Sequence, residues 1–183
     1  MNLPNKLTCL RMILVPFFVF FLLTDLVPMS GLIALIIFAA ASVTDALDGH
    51  IARSRGLVTT FGKFLDPLAD KVLVISALVC FIQMGICGAV PVLIIIAREF
   101  MVSGMRLVTA GKGIVVPANI WGKLKTAFTM VTIVFILFIH AFALHGTVTD
   151  LVSDILIWIS TVLTVISGWT YLNAYKGEIT SSM

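Results

Sequence analysis

Six apolar stretches, at roughly residues 8–27, 31–47, 68–87, 89–109, 124–144 and 151–172, fill most of this chain. Each lies near the ~20 residues that carry a helix across about 30 Å of hydrocarbon. Thr24-Asp25 with Pro28 and Gly31, then Gly85 to Pro91, Gly111 to Asn119 and His145 to Asp150 punctuate them with turn-forming and polar residues. Over 183 residues, 60% are hydrophobic and 11% charged, against about 25% charged in ordinary soluble domains. Mean hydropathy is +1.15. No soluble core could bury that much apolar surface, so a soluble globule, a disordered chain and a secreted disulfide scaffold are all excluded. Cys9, Cys80 and Cys87 are scattered inside apolar runs without metal-binding spacing and read as small core hydrophobes. The expected fold is all-α: a polytopic membrane protein of six transmembrane helices forming a single domain over residues 1–183.

Charge gives the orientation. Lys6 and Arg11 precede the first apolar run with no small-residue cleavage site after it, so the run reads as a retained helix. Lys6, Arg11, Arg53, Arg55, Lys63, Lys71, Arg106, Lys112, Lys123, Lys125 and Lys176 fall at the N-terminus, the second and fourth connections or the C-terminus. The first, third and fifth connections carry no basic residue, which predicts cytoplasmic termini. Arg98, beside Glu99, lies within the fourth span, where a charge faces the bundle interior or a wet cavity. No tandem or inverted repeat of the transporter kind is evident.

Four of the nine acids, Asp45, Asp48, Asp66 and Asp70, cluster around the second connection. Asp45 and Asp48 are i, i+3, and Gly49, Ala52 and Arg53 continue that helical stripe; Gly62, Asp66 and Asp70 repeat at i+4. Helices facing each other across the connection would gather four carboxylates in one pocket. Ionised and unpaired, they would repel and neutralise; divalent cations resolve this, and carboxylate oxygens suit Mg²⁺ or Mn²⁺. Two such ions could clamp a transferring phosphoryl group. The glycines remove side chains where a nucleotide must approach, and Arg53 offers a planar fork for phosphate. Taken singly, each acid has an ordinary reading: Asp45 and Asp48 as a solvated helix end, and Asp66 as an N-cap before Pro67, which could also kink the helix. A divalent-cation channel or carrier also uses membrane carboxylates but does not account for Arg53 and the paired glycines, and an intramembrane aspartyl protease needs only a dyad, against which the two extra aspartates and the adjacent arginine argue.

The pattern Asp45-x-x-Asp48-Gly49-x-x-Ala52-Arg53, eight residues, then Gly62-x-x-x-Asp66-x-x-x-Asp70 resembles the signature of the CDP-alcohol phosphatidyltransferases at all eight fixed positions. A chance match is on the order of one in ten million from average residue usage. Asn5-Lys6-Leu7-Thr8 with Arg11, Ala97-Arg98-Glu99-Phe100 with Arg106, and Trp121-Gly122-Lys123-Leu124-Lys125-Thr126 resemble the bacterial phosphatidylglycerophosphate synthases of that family. The resemblance implies a six-helix homodimer in the bacterial inner membrane, its active site facing the cytoplasm and no nucleic acid among its partners. It would move the phosphatidyl group of CDP-diacylglycerol to sn-glycerol 3-phosphate and release CMP. It further implies that Asp45, Asp48, Asp66 and Asp70 hold two divalent cations, that Asp70 is also the general base, and that Gly49, Ala52, Arg53 and Gly62 line the CDP-diacylglycerol pocket. Residue physics alone does not choose a base among the four acids. Synthases of phosphatidylinositol phosphate, phosphatidylserine or cardiolipin would share the donor half.

An acceptor carrying its own phosphate needs further cations, for which Arg98, Arg106, Lys123 and Lys125 are the candidates. Arg98 and Arg106 are i, i+8 and share a helix face. Snorkelling to headgroups is the ordinary role for Arg106, Lys123 and Lys125, and pairing near Glu99 for Arg98. Thr8 and Arg11 fit either the nucleotide and headgroup region or an interfacial anchor. Trp121, Trp158, Trp169, Tyr171 and Tyr175 read as an aromatic belt, and His140 and His145 carry no assigned chemistry.

Overall fold

The structure is a computed structural model that describes the backbone of residues 3–24, 26–55, 60–111 and 119–180, and side chains over 6–24, 26–44, 68–69, 71–109 and 119–174. Among the described residues there is no strand; six helices run α1 Leu3–Leu23, α2 Ser30–Arg55, α3 Thr60–Gln83, α4 Ala89–Gly111, α5 Ile120–Ala141 and α6 Thr147–Thr180. Helices are what a lipid-embedded chain must form, because hydrocarbon supplies no partner for an open backbone N–H or C=O. Among the described residues three helices are long and apolar enough to cross a membrane, over Lys6–Leu23, Ile120–Ala141 and Thr147–Ala174. The apolar parts of α2 and α3, Ser30–Thr44 and Lys71–Gln83, are shorter, and α4 carries Arg98, Glu99 and Arg106.

Buried faces follow helical spacing. On α1, Thr8, Arg11, Val15, Phe18 and Leu22 form one inward stripe, while Ile13, Phe17 and Phe20 point outward. All six helices feed a common core, with Phe18 and Phe38 in ring contact at 5.5 Å between centroids. α1 packs on α2 and α3; α5 packs on α2 and α6; α4 packs on α6. Close approach depends on small residues. At Gly31 a Cβ would lie 3.0 Å from His140 Cδ2 and 3.1 Å from Ala141 Cα, so any side chain there would push α5 off α2.

The α5–α6 seam is polar inside and apolar outside. Thr132 and Ser160 meet across it at 3.3 Å, while Thr129, Thr161 and Thr164 return their hydroxyls to carbonyls one turn back. Val131, Ile155, Val162 and Trp169 are among the exposed apolar side chains on these helices. Such an arrangement suits lipid outside and helix-to-helix hydrogen bonding within, so this is a membrane protein.

α2 and α3 continue well beyond their apolar parts, and this corrects the ordinary readings of the acids. Because α2 runs on to Arg55, Asp45 and Asp48 are interior to the helix rather than at its end. α3 begins at Thr60, so Asp66 is not an N-cap and Pro67 does not start the helix. Gly62, Asp66 and Asp70 therefore lie on one continuous helix.

Candidate active site

α2 ends at Arg55 and α3 begins at Thr60, so the chain brings the two acid-bearing segments to the same end of the bundle. α1 packs against both helices. α1 and α2 form a hairpin, and equal rise from its turn puts Arg11 level with Ser42 and Thr8 level with Asp45. Thr8 is 0% and Arg11 1% exposed. A snorkelling anchor would be at the surface, so this burial rules out the interfacial reading of both residues. They belong to the interior, at the level where the acids begin.

Asp45, Asp48, Gly49, Ala52 and Arg53 are backbone positions of α2, and Gly62, Asp66 and Asp70 of α3. The side chains of all eight lie outside the described residues, and among the described ones no His, Cys, Asp or Glu group suits a metal. The donor chemistry at the four acid positions fits a hard divalent cation, with oxygen ligands on two continuous helices.

A second polar centre, fully described, joins α4, α5 and α6. Glu99 Oε1 accepts from Arg98 Nη1 at 2.9 Å and from Lys125 Nζ. The side chains of Arg98, Glu99 and Lys125 are 10%, 16% and 5% exposed. Arg98 Nη2 donates to Ser167 of α6, and its stem passes Gly168, where a Cβ would lie 3.1 Å from Arg98 Cγ. Three charges this deep persist because each has a partner; removing one partner of such a pair costs about 3–5 kcal/mol. The cluster carries one excess positive charge, and Glu99 and Lys125 open on a small cleft lined also by Lys71, Thr126 and Thr129 over an apolar floor. Lys71 Nζ donates to Ser103 of α4. Since Lys71 directly follows Asp70, this cleft joins the acid-bearing helix to the cationic one.

Arg106, two turns beyond Arg98, donates to the Tyr171 hydroxyl at 2.6 Å. The same hydroxyl accepts the Asn119 backbone N–H at 3.1 Å, and Asn119 Nδ2 donates to Thr170 at 3.1 Å. At 3% exposure Tyr171 is not a belt residue. Trp121, Trp158 and Trp169 are 41%, 45% and 65% exposed; the Tyr175 side chain lies outside the described residues. Of the four cations named for an acceptor phosphate, Arg98 and Lys125 share the Glu99 cluster and Arg106 joins them through α6. Arg106 and Lys123 are both exposed, and of the four only Lys125 lines the cleft itself. Lys71, Asn119, Ser167 and Tyr171 were not singled out as site residues from sequence. Ser167 and Tyr171 had a readable signal: with Ile157, Ser160 and Thr164 they continue the inward 3–4 spacing of α6. His140 and His145 contact each other at 5.6 Å between ring centroids near the opposite end of α5.

Residues 1–166 match the family model described as CDP-alcohol phosphatidyltransferase. Among curated relatives, a protein of Bacillus subtilis is 42% identical over 94% of each chain. One of Rickettsia bellii is 38% identical over 96% of each, and one of Haemophilus influenzae 36% identical over 97% of this chain and 95% of its own. All three are named CDP-diacylglycerol–glycerol-3-phosphate 3-phosphatidyltransferase. These relationships displace the ion-carrier and aspartyl-protease readings. A complete eight-position signature on two helices, the family match and near-full-length relatives agree: the chain belongs to the CDP-alcohol phosphatidyltransferase family, whose members are transferases.

Proposed function

We propose that this protein is a phosphatidylglycerophosphate synthase, transferring the phosphatidyl group of CDP-diacylglycerol to sn-glycerol 3-phosphate and releasing CMP. The observation that supports a phosphorylated acceptor is the buried Arg98–Glu99–Lys125 cluster, reached from the acid-bearing helix through Lys71, the residue after Asp70, and the names of the relatives favour glycerol 3-phosphate among such acceptors. An uncharged acceptor gives a cell no use for excess positive charge at that depth. A phosphate dianion does, since guanidinium and ammonium donors match its oxygens. Arg106 extends the same cationic surface, and Lys123 at the entry of α5 would act on the approaching anion rather than the bound one.

In this reading Asp45, Asp48, Asp66 and Asp70 hold two divalent cations, Mg²⁺ or Mn²⁺, which when bound offset the charge of the pyrophosphate. Gly49, Ala52, Arg53 and Gly62 line the cytidine diphosphate pocket, the glycines admitting the nucleotide and Arg53 binding phosphate oxygen. Thr8 and Arg11, buried level with the start of the acid-bearing segment, support its inner wall. Asp70 takes the proton from the acceptor hydroxyl as its oxygen attacks the lipid-side phosphorus. The bond from that phosphorus to the bridging oxygen breaks, and CMP leaves with the bond's electrons. Residues 1–183 work as one transmembrane unit, as a homodimer in the bacterial inner membrane with the site facing the cytoplasm, a placement supported by the distribution of basic residues.

Purified protein in detergent with CDP-diacylglycerol and Mg²⁺ tests the acceptor, offered glycerol 3-phosphate, inositol 1-phosphate, serine or phosphatidylglycerol in turn. Mass analysis of the lipid is expected to find a new phospholipid with glycerol 3-phosphate alone, and none after chelation. A product with another acceptor would move the substrate assignment within the family.

A further inference from the structure

Arg98 and Arg106 are eight residues apart on α4, so their Cα atoms are separated by about 12 Å along the helix axis. Their guanidinium carbons nevertheless lie 5.6 and 5.3 Å from the centre of one ring, that of Tyr171 on α6. Both distances are within cation–π range, which draws two like charges to one place. The Tyr171 hydroxyl adds direction: it accepts from Arg106 Nη2 and from the backbone N–H of Asn119, the residue that leads into α5. One buried side chain thereby touches both arginines and the entry of the helix that carries Lys125.

Two features show that these cations are arranged for more than packing. Arg98 Nε is buried with no hydrogen-bond partner among the described residues, in a side chain 10% exposed. Among the described residues no carboxylate lies within ion-pairing distance of Arg106; Tyr171 meets it with a neutral hydroxyl and a ring. A carboxylate at that place would cancel the charge. A phenol orients the guanidinium and leaves its charge available to an anion. The bare backbone at Gly122 makes room for the ring, since a Cβ there would lie 3.5 Å from Tyr171 Cε2.

Building on the acceptor reading above, we propose that Tyr171 is a positioning residue for the acceptor phosphate: it holds Arg98 and Arg106 together and ties them to the start of α5. It touches no reacting atom. Its contribution is made before the acceptor arrives, by fixing flexible cations whose ordering would otherwise accompany binding.

Steady-state CMP release by the full-length protein in detergent tests this, with CDP-diacylglycerol and glycerol 3-phosphate varied separately. Tyr171→Phe removes the hydroxyl and keeps the ring; it is expected to raise KM for glycerol 3-phosphate about tenfold, equivalent to about 1.4 kcal/mol, with KM for CDP-diacylglycerol held within about twofold. Tyr171→Leu removes both and is expected to raise it about a hundredfold. In an Arg106→Ala background Tyr171→Phe is expected to add clearly less than it does in the wild type, because one of the two groups its hydroxyl holds is gone. An equal rise in both KM values, an unchanged acceptor KM, or full additivity with Arg106→Ala would overturn the role. Should the leucine variant fail to fold, the phenylalanine variant and the double mutant decide. Wild-type activity only with a phosphate-free acceptor would overturn both the acceptor reading and this one, whereas wild-type use of glycerol 3-phosphate with an indifferent Tyr171→Phe removes this one alone.

Discussion

Asp70→Asn is expected to lower the rate of phosphatidyl transfer by about 10³-fold or more while the protein still inserts and folds, because it removes a base and a negative metal ligand together. The change is isosteric and lies within a continuous α3, ten residues from its start, so no cap is lost. A merely structural aspartate on a helix would tolerate asparagine with a cost within about 0.5 kcal/mol. CMP release and a thermal melt in the same detergent separate the two: a normal melt with no turnover is expected, and turnover within tenfold of wild type would remove Asp70 from the chemistry.

Arg98→Ala is expected to raise the KM for glycerol 3-phosphate by about a hundredfold, since charged hydrogen bonds are worth about 1.5–3 kcal/mol each and the site offers a fork. The KM for CDP-diacylglycerol should change little, because Arg98 is on α4 and the signature is on α2 and α3. Glu99 keeps Lys125 as partner in this variant, so its charge is not left unpaired, and a thermal melt in the same detergent separates any folding cost from the effect on KM. Arg98→Lys retains the charge and loses the fork, and should fall between alanine and wild type. Initial-rate kinetics with each substrate varied in turn checks this; equal effects on both KM values would place Arg98 in the scaffold.

The helices were legible because lipid demands a long apolar run, and six such runs produced six helices. Their ends were not, because apolarity reports where the hydrocarbon stops, not where the helix does. Residues 45–55 and 60–67 carry Asp45, Asp48, Arg53, Arg55, Lys63 and Asp66 and are still helical, since such residues interrupt apolarity without breaking the backbone ladder. The alternative reading of Asp66 as an N-cap before Pro67 would therefore start α3 several residues too late.

The acid signature was legible from spacing, whereas the cationic half was only partly so. Arg98 and Lys125 announced themselves by charge in an apolar setting; Tyr171 did not, because an aromatic near the end of a span has the same local sequence whether it faces headgroups or two arginines. Arg11 posed the same ambiguity at the other end. In both cases the stripe decides: Arg11 continues Val15, Phe18 and Leu22, and Tyr171 continues Ser160, Thr164 and Ser167. Lys123 and Lys125 were equivalent in sequence, yet two residues rotate a side chain by about 200°, and only Lys125 reaches the core.

The central claim is that phosphatidyl transfer to glycerol 3-phosphate releases the nucleotide. Measuring CMP release together with incorporation of labelled glycerol 3-phosphate into lipid, from CDP-diacylglycerol and Mg²⁺, tests it most directly. One CMP for each labelled lipid, with both lost on chelation, is the predicted result; CMP released without label entering lipid, or no release from demonstrably folded protein, would contradict it.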